Sequence, residues 1–166
     1  MDAAEIYRTI DQQRSYLGQW LPFVATTQSV NDSLDFINSI LKAAEEKDVC
    51  VFTIRYKDAF AGIIGLKGTD FANKKTEIGY WLAEEYQGQG MMTRCVETIC
   101  QRAFHRMDIN RIQIKCACGN HRSRAIPQRL GFALEGIERD GEMMSNQHFV
   151  DLEVYSMLKA DWHKRS

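Results

Sequence analysis

The chain has 166 residues, a net charge of -1 at pH 7, 45% hydrophobic residues and 26% charged residues, which is the composition of one globular domain. This balance excludes a general basic field for nucleic acid, and no apolar run is long enough to cross a membrane. The N-terminus carries no basic stretch followed by an apolar segment, so we expect a cytoplasmic protein with reduced cysteines and no metal site.

Two helices are predicted in the N-terminal part of the chain. Apolar residues recur at helical spacing over Ala3–Trp20, and Leu21-Pro22 ends this helix. Ser29 or Asn31 caps a second helix, because both side chains accept hydrogen bonds from backbone N–H groups of a first turn. Its apolar stripe is predicted to consist of Leu34, Ile37, Ile40 and Leu41.

Three strands are predicted next. Val49–Tyr56 and Phe60–Leu66 are rich in β-branched and aromatic residues, and the short Lys57-Asp58 link between them is typical of a hairpin. Glu77–Leu82 is predicted to be the third strand.

The segment Tyr86–Thr93, which reads Tyr-Gln-Gly-Gln-Gly-Met-Met-Thr, joins this third strand to a predicted helix. Two glycines at a helix start leave a ring of free backbone N–H groups, which bind phosphate oxygens with help from the helix dipole. Met91 follows Gly90, where a Walker loop needs lysine, and Thr93 stands where a dinucleotide fingerprint has glycine or alanine. The segment therefore predicts a different phosphate-bearing ligand, with a plain glycine turn as the alternative.

The C-terminal half alternates between helices and strands. Ile112, Ile114 and Cys116 alternate with polar residues, which indicates a half-exposed or splayed strand. This alternation predicts a single α/β domain. The predicted elements are a helix with an apolar face from Val96 to Met107, a strand over Arg111–Cys118, a helix over His121–Leu130 ended by Gly131, a strand over Phe132–Glu138, a turn at Asp140-Gly141 and a last strand over Phe149–Leu158.

Taken together, these motifs resemble the GNAT superfamily of acyl-CoA N-acetyltransferases. More narrowly, the chain is similar to the RimJ/RimL branch, which acetylates protein N-termini, including those of ribosomal proteins. The resemblance covers nearly the whole chain. It is carried by Leu21-Pro22-Phe23-Val24, Glu77-Ile78-Gly79-Tyr80-Trp81-Leu82, the glycine segment with Met91-Met92-Thr93, Asn120-x-x-Ser123 followed by Gly131-Phe132-x-x-Glu135-Gly136, and the late Asp151, Tyr155-Ser156-Met157-Leu158 and Trp162.

The resemblance implies a fold of the α/β (α+β) class. We expect one GNAT domain over residues 1–166, with a mixed central sheet whose middle strands splay apart between flanking helices. The family's first strand normally precedes the first helix, so this edge strand is either missing or lies ahead of residue 1. The long last strand and exposed aromatic residues allow a homodimer.

Acetyl-CoA is the cosubstrate that the resemblance implies, and no metal is expected. Its diphosphate would bind backbone N–H groups of the glycine segment, while its pantetheine arm would pair like an added strand with the third strand. The cofactor-binding residues so implied are Trp81, Leu82, Gln87, Gly88, Gln89, Gly90, Met91, Met92, Thr93, Asn120 and Ser123.

Three residues are candidates for catalysis. Pro127 stands where many family members carry a tyrosine general acid, so Ser123 is the candidate to serve the leaving thiolate, with a structural role at the helix start as its alternative. Glu142, in the predicted turn between the last two strands, and Glu77, on the third strand, compete as general base. Glu142 is preferred because it resembles the catalytic glutamate of the RimL branch.

A protein N-terminus is the predicted acceptor. An α-amine has a pKa of about 7.7–8.0 against about 10.4 for lysine, so a sparsely equipped site suits it better. A small amine such as a polyamine, amino sugar or drug is an alternative acceptor, for which acidic residues are needed, and a non-catalytic acyl-CoA-binding module is a third reading. The acidic candidates in the sequence are Glu45, Glu46, Glu84 and Glu85.

Overall fold

The structure is a computed structural model that describes residues 1–47 and 50–165, with the backbone alone for 44–47. The helices it describes are α1 (Ala3–Gln12), α2 (Arg14–Leu17), α3 (Val30–Lys47), α4 (Met91–Arg106), α5 (His121–Arg129) and α6 (Lys159–His163). The strands are β1 (Val51–Tyr56), β2 (Ala59–Asp70), β3 (Lys75–Leu82), β4 (Arg111–Ala117), β5 (Ala133–Met143) and β6 (Phe149–Leu158). Short 3₁₀ helices cover Pro22–Ala25 and Glu84–Tyr86.

The strands form one mixed sheet in the order β1-β2-β3-β4-β6-β5. The predicted β1–β2 hairpin is present, and both of its turn residues, Lys57 and Asp58, adopt positive φ angles of 47° and 66°. Positive φ at both positions matches the twist of the flanking strands. Val49, the predicted start of β1, lies outside the described residues. Strand β1 forms one edge of the sheet, and in the part of the chain that the structure describes no strand precedes α1.

The two middle strands splay apart, as the sequence predicted. β3 and β4 are parallel, and they pair only where Lys75–Glu77 lies beside Arg111–Gln113. Beyond Glu77 the strands separate, which leaves an open gap in the centre of the sheet. The gap faces the glycine segment because that segment follows directly after β3.

Two apolar layers cover the sheet on opposite faces. Ile63 and Ile64 are neighbours on β2 and belong to different core clusters, since successive side chains of a strand point to opposite faces. Helix α4 fills one layer with Val96, Ile99, Cys100, Ala103 and Phe104, and α1 and α3 fill the other with Ile6, Ile10 and Ile37. No helix within the described residues is long and apolar enough to cross a membrane.

Two predictions for the N-terminal helices are wrong. The single helix expected over Ala3–Trp20 is interrupted at Gln13, whose side-chain oxygen accepts the Glu84 N–H at 2.8 Å and so ties this break to the loop after β3. On α3, Leu34 and Leu41 are exposed, whereas Ser33 and Ile37 are buried. Helix α3 contacts α1 along a narrow face, so the predicted stripe is wider than the buried one. Ser29 does cap α3, by accepting the Asp32 N–H at 3.4 Å.

The predicted turn at Asp140-Gly141 is also wrong. β5 continues through both residues with an irregular register, and the Asp140 N–H donates to the Asp151 carboxylate at 2.9 Å. The chain reverses further on, where the Met144 N–H donates to the His148 carbonyl at 2.9 Å. Glycine and aspartate suit a β-bulge as well as a turn, so composition could not separate the two. Glu142 therefore lies in β5 and not in a turn.

Candidate active site

The glycine segment presents a row of unused backbone donors at the start of α4. Gly88 and Gly90 have φ angles of +73° and +72°, and a Cβ placed on either would find no heavy atom within 4 Å. Within the described residues, the N–H groups from Gly88 to Thr93 make no hydrogen bond, while Arg94 N–H is the first to bond back, to the Gly90 carbonyl at 3.2 Å. Open space beside free donors at a helix start fits the diphosphate of coenzyme A.

Two arginines of α5 border this segment; in the sequence they look like part of a solvated basic helix face, because they belong to a different element. The Arg129 guanidinium donates to the Thr93 hydroxyl at 2.8 Å, and the Arg122 guanidinium donates to the Gln87 side-chain oxygen at 2.8 Å. Positive charge next to the donors strengthens the attraction for a phosphate group.

The edge of β3 that faces the gap carries further free donors. Ala83 N–H donates to the Ala61 carbonyl of β2 at 2.8 Å. Residues along a strand direct their N–H groups alternately to the two sides, so those of Tyr80 and Leu82 point away from β2. Since β4 has already diverged, these groups face the open gap. They can pair with an amide-bearing ligand as a neighbouring strand would.

Ser123 and Tyr80 meet across the gap. The Ser123 hydroxyl donates to the Tyr80 phenolic oxygen at 3.2 Å, and the phenol donates to the Ser123 carbonyl at 3.2 Å. Burial raises the pKa of Tyr80 above its usual value, so the phenol keeps its proton. The sequence identified Ser123 as a candidate but identified Tyr80 only as an aromatic residue, because the contact depends on how far the strands separate.

Asn120 holds the start of α5. Its side-chain oxygen accepts the Ser123 N–H at 3.1 Å, so Asn120 is the N-cap and Ser123 lies in the first turn. The amide nitrogen of Asn120 remains available to donate to a ligand, because it makes no hydrogen bond within the described residues. Pro127 lies buried inside α5 and carries no acidic group, as its sequence position indicated.

The two candidate bases have different surroundings. Glu142 is opposite Val150 of β6, is exposed, and makes no ion pair or side-chain hydrogen bond with any residue that the structure describes. The Glu77 side chain is only 17% exposed, pairs with Lys67 at 2.7 Å and accepts from the Gln113 amide at 3.0 Å. Glu142 is thus free to accept a proton, whereas Glu77 is held by two partners.

One cavity of about 840 Å³ brings the three candidate catalytic residues together with two of the predicted cofactor-binding residues, Trp81 and Asn120. Its lining includes Glu77, Tyr80, Trp81, Asn120, Ser123 and Glu142. Leu82 and the glycine segment from Gln87 to Thr93 lie outside this lining and next to it. Beyond Trp81 the cavity reaches the side of the sheet covered by α1 and α3, where Phe23, Asp35 and Phe36 line it.

A second cavity, of about 860 Å³, lies between β1 and α4. Phe52, Cys95 and Arg102 line it, and among the described residues Met91 is the one predicted site residue that it contains. Its similar volume makes it a useful comparison, since it shares neither the β3–β4 gap nor the Ser123–Tyr80 pair. No group of three or more histidine, cysteine, aspartate or glutamate side chains in the described ranges is arranged to hold a metal ion.

These features fit an acyl-CoA site, and comparison with known proteins identifies the family of the chain. Residues 1–133 match the family model described as "Acetyltransferase (GNAT) domain". The chain belongs to the GNAT acetyltransferase family. It is an acyl-CoA-dependent N-acetyltransferase whose cosubstrate is acetyl-CoA, so the reading as a non-catalytic module is set aside.

Relatives of known sequence place it close to the ribosomal-protein acetyltransferases. It is 35% identical over 162 residues to "Putative ribosomal N-acetyltransferase YdaF" of Bacillus subtilis (strain 168), covering 97% of this chain and 88% of the relative. It is 28% identical over 153 residues to the "Ribosomal-protein-serine acetyltransferase" of Escherichia coli (strain K12), covering 92% and 85%.

Solved structures agree with this relationship. The Microcin C7 self immunity acetyltransferase MccE, in complex with acetyl-CoA and AMP, is 30% identical with a TM-score of 0.87, over 94% of this chain and 86% of that chain. RimL, the ribosomal L7/L12 alpha-N-protein acetyltransferase, in complex with coenzyme A is 25% identical with a TM-score of 0.89, over 96% and 89%.

Proposed function

We propose that this acetyltransferase modifies the α-amine at the N-terminus of a protein, with a ribosomal protein as the acceptor. One observation carries the proposal: a single cavity is lined by Ser123, by Trp81 and, at its mouth, by the exposed rings of Phe23 and Phe36, which suits the end of an extended chain. The relatives named for ribosomal proteins support the same acceptor class. Such an acceptor would place the reaction in the cytoplasm.

The residues of the gap serve direct attack of the amine on the thioester. Bound acetyl-CoA supplies the activated acetyl group. The neutral amine forms the new C–N bond while the C–S bond breaks. The Leu82 N–H donates to the carbonyl oxygen as negative charge develops there. The Ser123 hydroxyl, which donates to the Tyr80 phenolic oxygen in this structure, would turn to donate to the departing sulfur.

Cys116 lines the same cavity but is unsuited to carry the acetyl group. Burial, followed by the nearby Glu153 carboxylate, raises the pKa of the Cys116 thiol to about 12. The thiolate is the nucleophilic form, so this thiol is inert near neutral pH. Direct transfer to the amine is therefore favoured over an acetylated enzyme.

Glu142 is the base that we assign to the amine. Its carboxylate lines the cavity, pairs with no cationic side chain among the described residues, and can take a proton directly or through one water. The proton chemistry favours an α-amine, because a lysine side chain is far more basic and needs a stronger base.

Thiol release tests the acceptor class. Peptides that begin with Ser, Ala or Met and have a free N-terminus should release thiol from acetyl-CoA in the presence of the protein. The same peptides with an acetylated N-terminus and one internal lysine are the matched control, and should release none above background. Release from the blocked peptides equal to that from the free ones would contradict the proposal.

A small-amine acceptor is the second candidate, and one observation favours it. Asp32, Asp35 and Glu142 line the cavity, and carboxylates attract polycations. Of the acidic residues singled out in the sequence, Glu84 and Glu85 do not line it, while the side chains of Glu45 and Glu46 lie outside those described. Spermidine in the same assay separates the two, since turnover of spermidine but of no peptide would establish the second candidate.

A further inference from the structure

The cavity of about 840 Å³ that contains Ser123 and Glu142 is lined by an excess of negative charge. Four carboxylates and two lysines line the cavity. Lys67 pairs with Glu77 at 2.7 Å, and Lys115 pairs with Glu138 at 2.5 Å, so neither amine is left to neutralise another carboxylate. The carboxylates that remain are those of Asp32, Asp35 and Glu142.

These three carboxylates have no cationic partner within the described residues. Asp32 accepts from the Ser29 hydroxyl at 2.9 Å and from the Gln28 N–H at 2.9 Å, which caps α3 without adding positive charge. Asp35 is exposed one turn further along the same helix, and it makes no side-chain hydrogen bond in the described part of the chain. Low-dielectric walls around like charges focus the field into the cavity.

Ser33 adds an independent sign of a ligand at this place. It lines the cavity between Asp32 and Asp35, is 2% exposed, and its hydroxyl has no hydrogen-bond partner in the described structure. Buried hydroxyl groups in native proteins are almost always paired. A polar group of a bound acceptor would supply the hydrogen-bond partner that the Ser33 hydroxyl lacks. Phe23 and Phe36, which are 40% and 42% exposed at the mouth, offer apolar surface to the same chain.

We propose that the cavity selects acceptors that carry lysine or arginine within the first few residues after the amine. The proposal rests on the proposed function, in which the acceptor is a protein N-terminus. It adds the charge of the acceptor residues that follow the amine. With the amine at Ser123, each following residue of an extended chain advances by about 3.3 Å. A chain that follows the cavity from there passes the α3 residues that line it, among them Ser33 and Asp35. An acidic acceptor meets like charges there and is repelled.

Three peptides test this selection. They share a free N-terminal serine and the rest of their sequence, and differ only in having Lys, Gln or Glu at the second to fourth positions. At low salt we expect kcat/KM for the Lys peptide to exceed that for the Glu peptide by about tenfold or more, as for electrostatic steering. High salt should shrink the difference, because screening acts on exposed charges.

Asp35→Asn is the matching variant. It should lower the preference for the Lys peptide over the Glu peptide and leave the affinity for coenzyme A unchanged. Asp161→Asn removes one exposed carboxylate on α6, outside the cavity, and should leave the preference intact. Ser33→Ala should raise KM for all three peptides without changing kcat.

The outcomes distinguish failure of the charge selection from failure of the proposed function. Equal kcat/KM for the three peptides, or a preference untouched by Asp35→Asn, overturns the charge selection and leaves the N-terminal acceptor standing. Unchanged KM in Ser33→Ala removes Ser33 from the acceptor site. If the Gln peptide gives no turnover and spermidine does, the proposed function itself fails.

Discussion

At the level of single residues, the candidate site depends on the contact between Ser123 and Tyr80, and the sequence identified only Ser123 as a site residue. The spacing Asn120-x-x-Ser123 identified the serine, since a helix start fixes the distance between a cap and its first turn. Tyr80 was visible in the sequence, but its contact with Ser123 requires that β3 and β4 separate by a given amount. Packing of whole elements decides that separation, and no local pattern encodes it.

Tyr80→Phe tests whether the phenol acts on Ser123. The ring still packs, but the phenol that donates to the Ser123 carbonyl is lost, so Ser123, the donor to the departing sulfur, is no longer held in place. We expect kcat to fall by about tenfold to a hundredfold, as for loss of a general-acid contact, with the dissociation constant for coenzyme A unchanged. Steady-state kinetics and calorimetry measure the two quantities.

Tyr56→Phe is the control, because Tyr56 is exposed on β1, its ring is tilted against that of Tyr86, and it does not line the cavity that contains Tyr80. Equal kcat in Tyr80→Phe and the unsubstituted protein would show that the phenol only packs.

Glu142→Gln and Glu77→Gln separate the two candidate bases. Glu142→Gln should lower kcat by about a hundredfold or more, the usual contribution of a positioned base, and leave the urea midpoint of unfolding unchanged. Glu77→Gln should lower the urea midpoint, because Lys67 loses its ionic partner and one acceptor oxygen has to serve both Lys67 and Gln113, and should change kcat less. The reverse pattern would transfer the role of base to Glu77.

At the level of elements, the glycine segment was predictable and the end of the sheet was not. A strand, two glycines and a helix start form one local unit, and this unit appears where the sequence placed it. The position of β6 between β4 and β5, and the bulge that carries Asp140, arise from contacts distant in sequence. Turn-forming residues look the same in both settings, which is why Glu142 was predicted in a turn.

Gly88→Ala and Gly68→Ala separate the role of the glycine segment in binding coenzyme A from the effect of backbone strain. Both glycines have positive φ, at +73° and +59°, and both have open space where a Cβ would go. Each substitution should therefore cost about 1–2 kcal/mol of unfolding free energy. Only Gly88→Ala should also weaken binding of coenzyme A, because its methyl group enters the space beside the free N–H groups. Equal affinities in titration calorimetry would remove the segment from the binding site.

Glu135→Gln tests the tie between β4, β5 and β6. The Arg111 guanidinium, then the Ser156 hydroxyl at 2.7 Å, lower the pKa of Glu135 to about 2. Because the folded pKa lies below the ordinary value of about 4.5, ionised Glu135 stabilises the fold above that pH and ceases to do so as pH falls towards 2. The urea midpoint should thus differ between the protein and Glu135→Gln near neutral pH, and converge over this acidic window.

Glu97→Gln, an exposed substitution on α4, provides the control, and its difference from the unsubstituted protein should not vary over the same window. A constant difference for Glu135→Gln would show that the carboxylate adds nothing to folding.

At the level of the whole molecule, the fold class followed from the order of the elements and from the family resemblance. Alternating helices and strands predicted one α/β domain, and the family resemblance implied a mixed sheet with the splayed centre that the pairing of β3 and β4 shows. The chemistry of the acceptor end was not predictable, because Asp32, Ser33 and Asp35 reach the cavity only once α3 lies against α1. In the sequence they look like the polar face of a helix.

Residue-resolved amide hydrogen exchange, with and without coenzyme A, tests the central claim most directly. If the donors left free at the splayed strands and at the helix start hold the cosubstrate, its addition should slow exchange at Tyr80, at Leu82 and from Gly88 to Thr93. Exchange along β1, beside the second cavity, should not change. Protection confined to β1 and the α4 residues that face it, with none at Leu82 or Gly88, would contradict the account.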